Sequence, residues 1–134
     1  PDNAVEEHEE EEKERVISEN SAASLRDIPE EVVRMGTGTK AAMALYNCAG
    51  KTGTAMKPAP GGGYLEAYMG SFVGMAPSDN PRLVVVITLD EPTPIYGGHT
   101  AAPCFSRVME FALQHLNVTP SLEKVNTKDQ VVVR

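Results

Sequence analysis

From Tyr64 onward the chain alternates, with Ala67, Met69, Ser71, Val73 and Met75 falling on one side of an extended segment and Tyr68, Gly70, Phe72 and Gly74 on the other. That period of two predicts a β-strand over residues 64–76, with glycines four residues apart on one face, where a neighbouring element can approach closely. Leu83, Val84, Val85, Val86, Ile87, Thr88 and Leu89 form the clearest strand in the chain. Being apolar on both faces, it is expected inside a sheet covered on both sides. The tight Pro77-Ser78-Asp79-Asn80-Pro81 connection makes these two strands an antiparallel hairpin. Gly- and Thr-rich sequence upstream predicts a third strand over residues 50–56, and Pro58-Ala59-Pro60-Gly61-Gly62-Gly63 then forces a loop.

A helical period flanks these strands. Ser18 is placed to cap a helix running through Ala22, Leu25 and Ile28. Pro29 is expected either to kink it or to start a second short helix with Glu30 and Glu31 in its first turn, at a cost of up to about 3 kcal/mol if the helix runs on. Val32 and Val33 continue the buried face, and Gly36-Thr37-Gly38-Thr39 supplies the stop. Residues 90–98, with Pro92, Pro94, Gly97 and Gly98, read as a loop. Thr100 then caps a second amphipathic helix whose apolar positions are Ala101, Cys104, Phe105, Val108, Met109, Ala112 and Leu116, with Pro103 in its first turn. Val131-Val132-Val133 in the tail reads equally well as an added edge strand or a loose terminus.

Composition narrows the picture. A chain of 134 residues, 41% of them apolar, supports one ordinary domain. No apolar run approaches the roughly 18 residues that a membrane-spanning helix needs. The opening Pro-Asp and acidic tract do not resemble a secretory leader, and a start at Pro1 without Met reads as a processed, cleaved or truncated piece. Of the net charge of −7, all lies in residues 1–14, where eight acids face one base; the remainder holds eleven of each. The acidic block is expected to be a solvated, self-repelling segment that could attract cations or a basic partner. No basic patch exists to follow a phosphate backbone, so nucleic acid is excluded as a partner. Cys48 and Cys104 lack metal-motif spacing and His8, His99 and His115 stand apart, which argues against a metal site. No cofactor is implied.

The segment with chemical content is Gly50-Lys51-Thr52-Gly53-Thr54-Ala55. One ammonium and two hydroxyls on glycine-freed backbone suit a carboxylate, although a Thr/Gly turn with a solvated lysine has the same composition. Alternation puts Lys51 and Gly53 on one side of the strand and Thr52 and Thr54 on the other. A phosphate loop of the G-x-x-x-x-G-K-[ST] type fails twice: its first glycine would fall at Leu45, and a helix must follow where Gly53, Pro58 and Pro60 stand.

Six runs occur in an order that carries more weight than any one of them: Gly36-Thr37-Gly38-Thr39-Lys40-Ala41-Ala42, Ala49-Gly50-Lys51-Thr52-Gly53-Thr54-Ala55, Ser71-Phe72-Val73-Gly74-Met75-Ala76-Pro77, Asp79-Asn80-Pro81-Arg82, Asp90-Glu91-Pro92 and Gly97-Gly98-His99-Thr100-Ala101-Ala102-Pro103. Over residues 15–118 the chain resembles the C-terminal part of the transpeptidase domain of a class B penicillin-binding protein, most closely the division (septal) type, with Lys51-Thr52-Gly53 as the third signature of the family. The resemblance implies a C-terminal fragment of the α/β (α+β) transpeptidase fold, with antiparallel sheet strands and flanking helices. It implies a serine-type D,D-transpeptidase that cross-links peptidoglycan stem peptides through an acyl-enzyme and is stalled there by β-lactams. On that basis Lys51 tunes the electrostatics of the site, the Thr52 and Thr54 hydroxyls bind the substrate or drug carboxylate, the Thr54 amide is an oxyanion donor, and Gly53 leaves room for a ligand along the strand. Divisome proteins as partners and a membrane-anchored enzyme working on the extracytoplasmic side follow from the same resemblance.

The departures are informative. The family's S-x-x-K nucleophile motif precedes Lys-Thr-Gly, whereas the only such spacing here, Ser121-Leu122-Glu123-Lys124, follows it and reads as a chance match. Ser18-Glu19-Asn20 and Ser78-Asp79-Asn80 imitate the second motif at the wrong places. Nucleophile and second motif are therefore expected on upstream sequence outside this chain, which alone should be inactive. The division expected is an acidic segment over residues 1–14, transpeptidase sequence over 15–118 and a tail over 119–134. A function of a different class, a non-catalytic module that binds a peptide or partner through an exposed strand edge at Lys51 to Ala55, is consistent with the same residues.

Overall fold

The computed structural model describes residues 15–121. The elements are α1 (Glu19–Arg34), a short 3-10 turn (Thr39–Ala41), β1 (Ala49–Pro58), β2 (Tyr64–Ala76), β3 (Leu83–Asp90) and α2 (Gly97–His115). The strands form one antiparallel sheet in the order β1-β2-β3, with Thr52 opposite Phe72 and Phe72 opposite Ile87. The acidic segment, the Val131-Val132-Val133 stretch and all of Ser121-Leu122-Glu123-Lys124 beyond its serine lie outside the described residues.

Local chemistry explains the boundaries. The Ser18 hydroxyl accepts the Ser21 amide at 3.1 Å and caps α1. At the other end the amides of Gly36 and Gly38 both donate to the Val32 carbonyl, and a Cβ at Gly36 would stand 2.8 Å from the Val32 Cα. Pro29 neither ends α1 nor divides it. The carbonyl it leaves without a donor belongs to Leu25, in a turn where Leu25 and Ile28 are 55% and 63% exposed.

The core lies between the sheet and α2. Phe72 and Phe105 are fully buried with ring centroids 4.7 Å apart, and Val33, Tyr46, Cys48, Met109 and Leu113 pack around them. Gly74 makes that packing possible, since a Cβ there would stand 2.7 Å from the Phe105 ring. The element approaching the glycine face of β2 is thus α2, which also meets Gly70 through Thr100. Burial raises the Cys48 thiol from its ordinary 9.0 to about 11, with the Glu30 carboxylate adding to the effect.

Two expectations are corrected. First, among the described residues β3 is the edge of the sheet, not an inner strand covered on both faces. Leu83, Val85, Ile87 and Leu89 turn toward α2, while Val84 and Val86 point to the opposite face and are 68% and 62% exposed. Second, α2 begins at Gly97, a turn before Thr100. The Thr100 hydroxyl donates to the Tyr96 carbonyl from inside the helix, and Pro103 sits beyond the first turn. Two successive glycines favour a loop on local grounds, but here they let the helix start in contact with the sheet. Among the described residues no helix is long and apolar enough to cross a membrane.

Candidate active site

β1 is an outer strand: β2 occupies one edge, and no described strand pairs with the other. The pleat separates its polar residues as the alternation predicts. Thr52 and Thr54 share the α2 face with their partners Phe72 and Gly70, and Lys51 and Gly53 lie on the opposite face with Val73 and Ser71.

The first turn of α2 closes against this strand. Gly97 and Gly98 are buried; a Cβ at Gly97 would overlap the carbonyl oxygens of Ser71 and Gly53, and one at Gly98 would overlap that of Thr37. The helix start, the loop after α1 and β1 therefore meet with backbone against backbone. A depression of about 360 Å³ results, lined by Thr37, Thr52, Thr54, Tyr96, Gly98 and His99.

Two hydrogen bonds orient its hydroxyls. The Gly97 amide donates to Thr54 Oγ1 at a long 3.4 Å, leaving the Thr54 proton for another acceptor. Thr37 and Thr52 share a hydroxyl–hydroxyl bond of 2.9 Å. With Thr37 as donor, the Thr52 proton is likewise left for another acceptor. The pair is then suited to an acceptor-only group such as a carboxylate.

Lys51 is not brought into this depression. Its ammonium turns back onto the Thr52 carbonyl at 3.0 Å, and the residue borders an apolar hollow of about 190 Å³ on the other face with Pro29, Val73 and Val84. A Cβ at Gly53 would meet only the Ser71 side chain, whose hydroxyl can turn away. Beyond the site Lys57 pairs with Asp90 and, at 2.7 Å, with Glu91, contacts that hold its ammonium above the usual lysine range. Glu91 begins the segment leading to Tyr96 in the left-handed region, at φ 47°.

The serine look-alikes are engaged elsewhere. Ser18 caps α1, Ser78 is buried with no hydrogen-bond partner among the described residues, and the Ser121 hydroxyl accepts the Asn47 amide at 2.7 Å. None of them lines the depression. Among the described residues no group of three His, Cys, Asp or Glu side chains could hold a metal ion. The sequence alone does not mark Thr37, Tyr96, Gly97, Gly98 and His99 as site residues. Thr37 read as part of a helix stop and the others as loop or helix start, and only the closeness of α2 to β1 reveals them.

Comparison with known proteins gives this geometry a context. The profile of the penicillin binding protein transpeptidase domain matches residues 2–110. Stage V sporulation protein D of Bacillus subtilis is 41% identical over 121 residues, covering 88% of this chain and 19% of the relative. A probable peptidoglycan D,D-transpeptidase, PenA, of Neisseria flavescens is 39% identical over 116 residues, covering 84% and 29%. In the structure of penicillin-binding protein 3 of Mycobacterium tuberculosis complexed with ampicillin, the matched part has a TM-score of 0.69 at 38% identity, covering 81% of this chain and 27% of that one. The chain thus spans between about a fifth and under a third of the length of these relatives.

Proposed function

Because this chain belongs to the class B penicillin-binding protein transpeptidase family, we propose that it supplies the Lys-Thr-Gly strand of a peptidoglycan D,D-transpeptidase whose nucleophile lies on a part of the protein outside this sequence. The observation that carries the proposal is the pair of hydroxyls on Thr52 and Thr54, each positioned by a neighbouring donor or hydroxyl, on a strand with one edge that no described strand pairs. An extended stem peptide, or a β-lactam imitating its D-Ala-D-Ala end, lies along that edge with its carboxylate in the depression. The serine of the remaining sequence attacks the penultimate D-Ala carbonyl and expels terminal D-Ala, and an amine of a second stem peptide then takes over the acyl group.

Within this scheme Lys51 supports the hydrogen-bond network around the nucleophile, and the Thr54 amide is one oxyanion donor, a contribution of roughly 3–4 kcal/mol to the transition state. Gly53 keeps the strand close enough for a ligand to pass. The exposed Val84 and Val86, and an edge of β3 that no described strand pairs, support a domain completed by further polypeptide. The ampicillin bound by the mycobacterial relative supports β-lactams as ligands. A division (septal) role, contacts with divisome proteins and anchoring at the cytoplasmic membrane with catalysis outside it complete the reading.

The test is covalent labelling of the complete protein by a fluorescent penicillin. Lys51→Ala should abolish labelling; labelling at the wild-type rate would remove Lys51 from the mechanism. A complete protein that is never acylated would leave the strand edge as a peptide-binding surface without catalysis.

A further inference from the structure

Two side chains of the depression, those of Tyr96 and His99, have no task in the scheme above. His99 is exposed in the first turn of α2 and borders the same space as Thr37, Thr52 and Thr54. Its backbone is held firmly: the amide donates to the Tyr96 carbonyl at 2.9 Å, and the two preceding glycines are wedged against Gly53, Ser71 and Thr37. The ring meets Tyr96 edge-on with centroids 6.0 Å apart and makes no hydrogen bond among the described residues. It is the only nitrogen-bearing side chain in the lining.

The ligand chemistry follows from counting donors. A carboxylate presents about four lone-pair sites, whereas Thr52 and Thr54 offer one proton each. An imidazole at the mouth adds a directional N–H to these and to the Tyr96 hydroxyl, and a hydrogen bond to a charged group is roughly twice as strong as a neutral one. We propose that His99 is a specificity-determining residue that donates a hydrogen bond to the carboxylate end of the acyl donor. The inference rests on the carboxylate site read under Proposed function and adds to it a contact from α2.

A ligand pair isolates the contact: a penicillin with its carboxylate free and the same penicillin as its methyl ester. Second-order acylation rates are measured for the complete protein as wild type, His99→Leu, His99→Gln and Thr54→Val. The carboxylate-to-ester ratio within each variant is independent of how much of that variant is folded. His99→Leu should lower the ratio about tenfold, while His99→Gln, which keeps an N–H donor, should stay within about threefold of wild type. A ratio unchanged in His99→Leu but lowered in Thr54→Val overturns the role of His99 and leaves the carboxylate site standing. Equal losses in both His99 variants, or equal slowing toward both ligands, overturn it as well. A wild-type protein without preference for the free carboxylate overturns both readings together.

Discussion

Gly97→Ala puts the closure of the site under direct test. By intrinsic preference the change should help, since alanine favours a helix interior over glycine by up to about 1 kcal/mol and gains less at a first helical position. The packing predicts the opposite. The added Cβ would stand 2.7 Å from the Ser71 nitrogen and closer still to the carbonyl oxygens of Ser71 and Gly53, where a methyl carbon normally keeps close to 3.5 Å. All three atoms belong to paired backbone of β1 and β2, so no rotamer change relieves the overlap. The start of α2 must retreat by on the order of 1 Å. Overpacking against unyielding neighbours costs about 3 kcal/mol, leaving a net loss near 2 kcal/mol after the propensity gain. The same retreat breaks the 3.4 Å bond from the Gly97 amide to Thr54 and widens the depression. Displacements of that size slow catalysis by about a hundredfold. The assay is thermal unfolding together with penicillin acylation of the complete protein, with Gly61→Ala as control, where an added Cβ meets nothing within 4 Å. Melting and acylation at wild-type values in Gly97→Ala would refute the wedge argument.

Further outcomes follow from the same contacts. Thr37→Val removes the 2.9 Å partner of the Thr52 hydroxyl without changing shape, and should slow acylation about tenfold while shifting stability by no more than about 1.5 kcal/mol; an unchanged rate would show that Thr52 needs no orienting neighbour. Phe105→Ala empties a fully buried ring site beside Phe72 and should cost about 3–5 kcal/mol in a denaturant titration; a loss below 1 kcal/mol would contradict the core assignment. Alkylation of the native protein should modify exposed Cys104 and spare buried Cys48; equal reaction of both would show that Cys48 is not buried. Because folding raises the Cys48 thiol from 9.0 to about 11, its contribution is intact below pH 9 and is lost as pH rises toward 11; Cys48→Ala should flatten that part of the stability–pH curve, and an identical slope would remove the thiol as its cause.

Much of the architecture is legible along the chain, and the reasons are local. β2 spans the residues its alternation predicts, because Gly61-Gly62-Gly63 and Pro77 bracket a run that only an extended chain can place half in and half out of a core. Ser18 caps α1 because its hydroxyl serves a nearby amide, a relation visible in four residues. The separation of Thr52 and Thr54 from Lys51 follows from the pleat alone.

What stayed hidden depends on residues far apart in sequence. An apolar run on both faces of β3 states that both faces call for burial, but not what provides the cover, and among the described residues Val84 and Val86 stand exposed. Gly97-Gly98 reads as loop because local propensity disfavours glycine in a helix; contact with Gly53, Ser71 and Thr37 makes the missing side chains a requirement of the helix start. The candidate chemistry divides in the same way. Side-chain identity and strand alternation determined which residues could address a carboxylate. Only the tertiary structure decided that Thr37, Tyr96 and His99 join Thr52 and Thr54 around one depression, because that depends on how closely the backbone of α2 can approach β1, and the absence of two Cβ atoms sets that distance.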